Sequence, residues 1–469
     1  MREDICFTDA TGLARRIRQK EVSPVEVVRA HLERISAINP RLNAVVTFAS
    51  NALEQARLAE RAVMRGDISG PLHGVPFTCK DMFDVAGVRT TRGSKLFEHR
   101  VADTDATTVA RLKRAGGIFL GKTNVPEFAL WWETDNRVFG RTNNPWNLGR
   151  ITGGSSGGEA AAIAAGLSPL GIGSDVGGSI RMPAHYCGIV GLKPTHGRVP
   201  LTGHWPETLL RAQHVGPMAR TVRDVALGLH LMSGPDGIDH ECVPVPPPDT
   251  LESIDRPIKL RAGWLADGAF APVDPEVQAI VRKAAAALES AGCSVEHVDL
   301  SVLAENPAST VSGPVWAVES GYYFEPFVRG RESELYPFMQ KRLANPWPDM
   351  REYLKGLAGW EALRHGMTAF FHDYDLLLCP TIPVPAYEHH ARELTIDGVT
   401  VPARQKLNTA MVWDLTGSPA ISVPFGMSAD GLPIGVQLVG RHFDEATVLR
   451  AAMALEEVSD VRNVHPPLT

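Results

Sequence analysis

The sequence predicts a mixed α/β fold, and three observations carry that expectation. Residues 258–264, 275–292 and 294–298 read strand, helix, strand, the pattern of an α/β unit. SPAISVPFG and IGVQLVG flank a turn at Asp430-Gly431-Leu432-Pro433 and read as a hairpin or two neighbouring strands. Glycine, at 43 residues, and proline, at 35, exceed ordinary use in this 469-residue chain and imply many connections.

The other elements follow in order. Thr8 or Asp9 caps a first helix through about Lys20. Ser23-Pro24 is an N-cap followed by proline at the first helical position. Val27, Val28, Leu32, Ile35 and Ile38 continue it at helical spacing, and Asn39-Pro40 is expected to end it. Residues 44–48 read as a short strand, and 51–65 as a charged helix closed by Gly66. PLHGVPFTCKDMFDV reads as an apolar strand with Lys80 in its middle, an unusual place for a residue that is rarely buried unpaired. The plain alternative is an edge strand with Lys80 facing water. Residues 107–115 form an amphipathic helix, and GIFLGKT a strand. Residues 159–166 form a small-residue helix, LGIGSD a strand or turn, 184–193 a compact apolar segment and 221–232 a helix. YDLLLCPTIP is a buried strand, and 445–458 the last helix. Proline is dense from 234 to 257, which marks an irregular connection and a candidate boundary.

Composition narrows the function classes. Hydrophobic residues make up 44% and charged residues 21%, an ordinary globular balance. The net charge of −6 gives no reason to expect nucleic acid as a partner. No apolar run reaches the roughly 18–20 residues that span a bilayer, and the N-terminus has no secretory h-region. Six scattered cysteines without a C-x-x-C pair read as free thiols in a reducing cytoplasm, with no disulfide frame or zinc site. No cofactor and no metal is expected.

Two familiar patterns fail on context. Gly116, Gly121, Lys122 and Thr123 satisfy the P-loop spacing, but a helix precedes them and the loop positions read as strand. Gly153-Gly154-Ser155-Ser156-Gly157 satisfies the G-x-S-x-G elbow, but the polar WNLGRIT precedes it where an apolar strand is required. A Ser-His-Asp arrangement would then need a downstream histidine such as His365 or His442.

The stretch from 151 to 194 holds two glycine-flanked serines, Ser155 and Ser179, on either side of an alanine-rich helix. Glycine lets backbone N–H groups approach a reacting atom, and acyl transfer needs a nucleophile with such donors around it. PLHGVPFTCKD, TGGSSGGEAAAIAAG, GSDVGGSIRMPAHYCGIVGLKPT and TGSPAISVPFG together resemble the amidase signature family, over nearly the whole chain. The separations of 75 residues from Lys80 to Ser155 and 24 from Ser155 to Ser179 agree with that family's.

The resemblance implies one domain over residues 1–469, a large mixed sheet between layers of helices, with the signature core at about 70–200. The proline-rich residues 244–248 then become a surface excursion. It implies Ser179 as nucleophile, Ser155 as a bridging serine after a cis peptide bond, and Lys80 as a base kept neutral by burial. It further implies an oxyanion hole from the N–H groups of Val176, Gly177, Gly178 and Ser179. Gly154, Ser174 and Asp175 stand as supporting residues, and Arg181 orients the loop.

The chain departs from the glutamine-using, tRNA-dependent amidotransferase branch at EFALWWE, where Trp131 and Trp132 replace small polar residues. Trp413 stands where a smaller residue is common. Residues 313–360 carry ten aromatics, against 7% in the whole chain, and suggest an apolar wall that includes Trp316. The expected substrate is therefore a small aryl or alkyl amide, an anilide, or a related carbamate or ester. Glutamine hydrolysis within an amidotransferase is the alternative, and a silent binding protein is a third reading. The chain is expected to lack the membrane anchor of animal fatty-acid amide hydrolases. A homodimer is left open.

Overall fold

Eleven strands form one mixed sheet in the computed structural model, which describes residues 2–246, 251, 253–266, 269–270 and 272–468. The strands are β1 (Val45–Phe48), β2 (Pro76–Lys80), β3 (Ile118–Thr123), β4 (Leu170–Asp175), β5 (Val190–Lys193), β6 (His214–Ala219), β7 (Arg261–Trp264), β8 (Ser294–His297) and β9 (Leu376–Pro380), with β10 (Glu393–Ile396) and β11 (Val399–Pro402) forming a separate hairpin, and β12 (Ala420–Met427) and β13 (Pro433–Gly440) completing the sheet. The order is β1-β3-β2-β4-β6-β5-β12-β13-β9-β7-β8. β3, β2 and β4 are parallel neighbours, as are β9, β7 and β8, and the remaining pairs are antiparallel. β2, β4, β9 and β13 are buried along their whole length, which explains their near-continuous apolar sequences.

The expected strand–helix–strand unit forms, with helix Pro275–Ser290 between parallel β7 and β8. The hairpin around Gly431 forms as well. Asp9 caps helix Ala10–Arg18, and Ser23 with Glu26 makes a reciprocal capping box on helix Pro24–Leu42. That helix passes through Pro40, where the sequence predicted its end. Pro40 is exposed and in the last turn, so the carbonyl it leaves unpaired can meet water, and Asn43 in the left-handed region closes the helix. A short helix Arg2–Phe7 precedes these elements and was not foreseen. The β10–β11 hairpin was also missed, although its Asp397-Gly398 turn between alternating residues is a strong hairpin signal. Of the candidate boundary at 234–257, residues 247–250 and 252, and with them part of the expected excursion at 244–248, lie outside the described residues.

Two features of this architecture position the site. The small residues of helix Gly157–Ala164, all buried, let it lie close against β2, β4 and β6. Helices Ala308–Val328 and Met350–Asp373 pack on each other and on helix Asn408–Thr416, forming a second apolar cluster that takes in Val176, the residue after β4. Among the described residues no helix is long and apolar enough to cross a membrane.

Candidate active site

Lys80 is the last residue of β2, not the middle of a strand, and it is fully buried. Its Nζ lies 2.6 Å from Ser155 Oγ, 2.9 Å from Ser174 Oγ and 3.3 Å from the Ser174 carbonyl. Burial pushes its pKa down to about 7, against the opposing pull of Asp175 and Glu159. A lysine in this state is half neutral near pH 7 and has a lone pair to accept a proton. Beneath it Glu159 accepts from Thr78 and Thr123 (2.8 Å from Thr123 Oγ1), and burial raises its pKa to about 7.

Ser155 follows a cis peptide bond to Gly154. The adjoining Ser156 N–H donates to the Ser179 carbonyl at 3.1 Å, which ties the two serine loops together. Ser179 sits after the carboxyl end of β4, just before helix Arg181–Cys187. Gly178 adopts φ +102°, a backbone that favours glycine, and a Cβ there would stand 2.8 Å from the Ala410 side chain. Gly154 is equally tight, with a Cβ there meeting the Trp131 carbonyl at 2.7 Å.

Asp175 shapes this loop. Its carboxylate accepts N–H bonds from Gly178 at 2.5 Å and Ile180 at 3.0 Å. Burial opposes its ionisation, but the Arg181 guanidinium, 3.0 Å away, holds it well below the usual carboxylate range. Arg181 also reaches Asp414 at 2.8 Å, the Ala410 carbonyl at 2.8 Å and Gln437 at 2.9 Å. Burial beside Asp175 drives Asp414 the other way, well above its ordinary value. Arg181 is thus buried behind the loop, between two carboxyl groups that their surroundings shift in opposite directions. The Gly178 N–H, one of the four expected oxyanion donors, is directed to Asp175 instead. The N–H groups of Val176, Gly177 and Ser179 have no protein acceptor among the described residues.

A cavity of about 750 Å³ opens over Ser179, Gly154, Val176 and Gly177. Trp131, Trp132 and Trp316 line it, as the sequence suggested, together with Phe338, Met411 and Leu407. Trp131 stacks on Trp132 with centroids 3.5 Å apart and meets Phe338 at 3.7 Å. Trp316 closes on the oxyanion loop: a Cβ on Gly177 would lie 3.0 Å from its ring. Trp413 does not belong to this wall. It is fully buried, donates to the Thr409 carbonyl at 2.9 Å and packs edge-on against Phe270. Met411 takes the pocket position instead, because two residues along a helix turn the side chain by about 200°. The aromatic segment divides in the same way: Phe324 and Trp360 are core, while Trp316, Tyr336, Phe338 and Trp347 border the cavity.

The sequence reading missed the basic side of the cavity. Lys341, Arg342, Arg392 and Arg404 border it, and Glu133 is the one acid among the described lining residues. Burial and the nearby Arg404 lower the Arg342 pKa to about 10. These cations are scattered over two segments, so no local motif marks them.

The competing patterns are resolved. Lys122 lies inside β3 with its Nζ on the Phe83 carbonyl, so GIFLGKT is strand and not a phosphate loop. Lys80, not a histidine, meets Ser155. His442 is bonded to the Thr416 carbonyl at 2.8 Å, and His365 is exposed. All six cysteines are buried, and none is in a disulfide among the described residues.

A buried lysine against a serine hydroxyl, beside a second serine on a loop of open N–H groups, is an arrangement suited to acyl transfer. Comparison with known proteins agrees in class. Residues 26–449 match the Amidase family. The chain is 37% identical to a glutamyl-tRNA(Gln) amidotransferase subunit of Carboxydothermus hydrogenoformans, over 99% of this chain and 100% of that one. It is 36% identical to an acylamidase of Rhodococcus erythropolis, over 97% and 96% of the two chains. The solved structure of a bacterial aryl acylamidase of the amidase signature family superposes with a TM-score of 0.88 at 29% identity, covering 96% of each chain. The chain belongs to the amidase signature family and is an amide hydrolase.

Proposed function

We propose that this protein hydrolyses apolar aryl or alkyl amides through an acyl-enzyme on Ser179. The observation that carries the substrate class is the aromatic wall of Trp131, Trp132, Trp316 and Phe338 over Ser179. Neutral Lys80 takes a proton from Ser155 as Ser155 takes one from Ser179, whose Oγ attacks the amide carbon. The oxyanion is received by the N–H groups of Val176, Gly177 and Ser179. The proton then returns through Ser155 to the leaving amine, and water releases the acid by the same relay in reverse. Asp175 and Arg181 hold the donor loop, and Ser174 orients Lys80. Steady-state rates on 4-nitroacetanilide, fatty amides and glutamine test the reading. Anilide turnover far above glutamine turnover supports it, and the reverse order overturns it.

A second reading, glutamine hydrolysis within an amidotransferase, is favoured by one observation: the basic residues Arg342 and Arg404 on a cavity with a single acid suit a substrate that carries a carboxylate. The 37% identity to an amidotransferase chain points the same way. Purified chain that is inactive on anilides yet releases ammonia from glutamine favours this second reading.

A further inference from the structure

Ser179 faces two cavities. Besides the large one, a narrow space of about 10 Å³ adjoins Ser179, bordered by Ser155, Ser174, Ser179, His204, Thr208 and Gln213. That volume is close to what one water requires, and a buried water needs two to four polar partners. His204 is the unusual member. It is 4% exposed, its Nε2 is buried, and neither ring nitrogen has a hydrogen-bond partner among the described residues. A buried polar group left unpaired is costly, so this ring calls for a partner outside the protein chain.

The ring is fixed in place. The backbone of His204 bridges Phe83, three residues beyond Lys80, and its N–H donates to the Leu201 carbonyl at 2.8 Å. The imidazole packs edge-on to Phe83, with centroids 4.9 Å apart. Burial, then Lys80 and Arg92, hold it well below its ordinary pKa, so it is neutral, with one nitrogen to donate and one to accept. Arg92 and Lys80 are the cations that act on it, and neither bonds to it. Nothing in the acylation half of the proposed mechanism uses this histidine.

We propose that His204 is a positioning residue, holding the water that hydrolyses the acyl-enzyme in the narrow cavity against Ser155 and Ser179. The proposal rests on Ser179 being the nucleophile. In this step the water oxygen forms the new bond to the acyl carbon while one water proton passes through Ser155 to neutral Lys80. The bond from the acyl carbon to Ser179 Oγ then breaks. The lysine proton returns through Ser155 to that oxygen, and the carboxylic acid leaves. The large cavity keeps the acyl group in place while water is supplied from the narrow one.

The test separates the two halves of the reaction with 4-nitrophenyl acetate and 4-nitroacetanilide, which share one acetyl-enzyme. In His204→Phe, of similar shape but without ring nitrogens, deacylation slows roughly tenfold or more, a misplaced-reactant effect. A nitrophenol burst then precedes slow turnover, and acetylated Ser179 accumulates in the intact mass. His204→Gln, which restores a polar partner, recovers much of the turnover. If acylation and deacylation fall by equal factors, or if neither changes, the proposal is overturned. Should His204→Phe fail to fold, His204→Leu gives the same readout. Ser179→Ala keeps the underlying reading separate: acyl-enzyme that persists in that variant removes the nucleophile assignment whatever His204 does.

Discussion

In the floor of the site Lys80, Ser155, Ser174 and Asp175 are all 2% exposed or less, and each is held by hydrogen bonds to a neighbour of fixed position. In the wall above it Trp131, Trp132, Trp316 and Phe338 are half-buried, and Trp131, Trp132 and Phe338 hold one another by ring contact. The floor sits at the ends of parallel strands, where backbone register fixes positions. The wall belongs to a loop and to helices that pack on one another. The first arrangement suits chemistry that must be aligned within fractions of an ångström, and the second suits apolar recognition, which tolerates shape change.

A similar contrast separates two lysines. Lys80 and Lys193 are both fully buried, and burial pushes both down to about 7. Lys193 Nζ meets the Pro194 carbonyl at 3.0 Å, whereas Lys80 meets two hydroxyls. A lowered pKa alone does not make a base; a proton donor within reach does.

The floor-versus-wall division can be broken by substitution. Ser179→Ala should have the largest effect, lowering turnover roughly 10⁴-fold or more and ending labelling by a fluorophosphonate; surviving label would remove Ser179 from its role. Lys80→Ala should lower kcat/KM by about 10²–10⁴, the range for a general base. In the wild type kcat/KM should climb as pH rises through about 7, where Lys80 loses its proton, and that limb should vanish in the variant. The same group links pH to stability. Between about 7 and 10.5 the unfolded chain keeps a proton that the folded chain has released, so this term makes stability rise with pH over that window. Lys80→Met should flatten that rise in denaturant titrations.

Asp175→Asn comes next. It leaves Arg181 short of a charge and loosens the Gly178 N–H, so it should cost about 3–5 kcal/mol of stability and slow acylation more than it weakens binding. In the wall, Trp316→Ala should raise KM for an anilide roughly tenfold, about what 1–3 kcal/mol of lost apolar contact gives, with little change for glutamine. An equal loss on both substrates would mean that the wall does not select. Trp413→Phe should have the smallest catalytic effect. It removes a buried hydrogen bond and should lower the melting temperature while KM stays within about twofold, because Trp413 faces the core.

Much of the candidate site could be read from residue order. Lys80, Ser155 and Ser179 lie in short glycine-rich or apolar segments whose local pattern is unusual for each residue, and the structure gathers all three. The wall was legible only in part. Trp131 and Trp132 stand out as neighbours, but Trp413 looks the same in a sequence whether it faces pocket or core. Helical phase decides that, and the phase follows from how helix Asn408–Thr416 packs. The basic side chains, and His204, had no pattern to reveal them.

By itself the sequence determined the α/β class and most elements and their caps, and it singled out Lys80, Ser155 and Ser179 as candidates, because propensity, capping and motif spacing are local properties. Tertiary structure alone decided that the Gly178 N–H turns to Asp175, that Arg181 lies between Asp175 and Asp414, and which aromatic rings reach the cavity. These depend on burial and on contacts between residues far apart in the chain. Asp175 and Asp414 are the same residue type, yet Arg181 holds the first well below the usual carboxylate range while burial pushes the second well above it, a difference set by their surroundings and not by their place in the sequence.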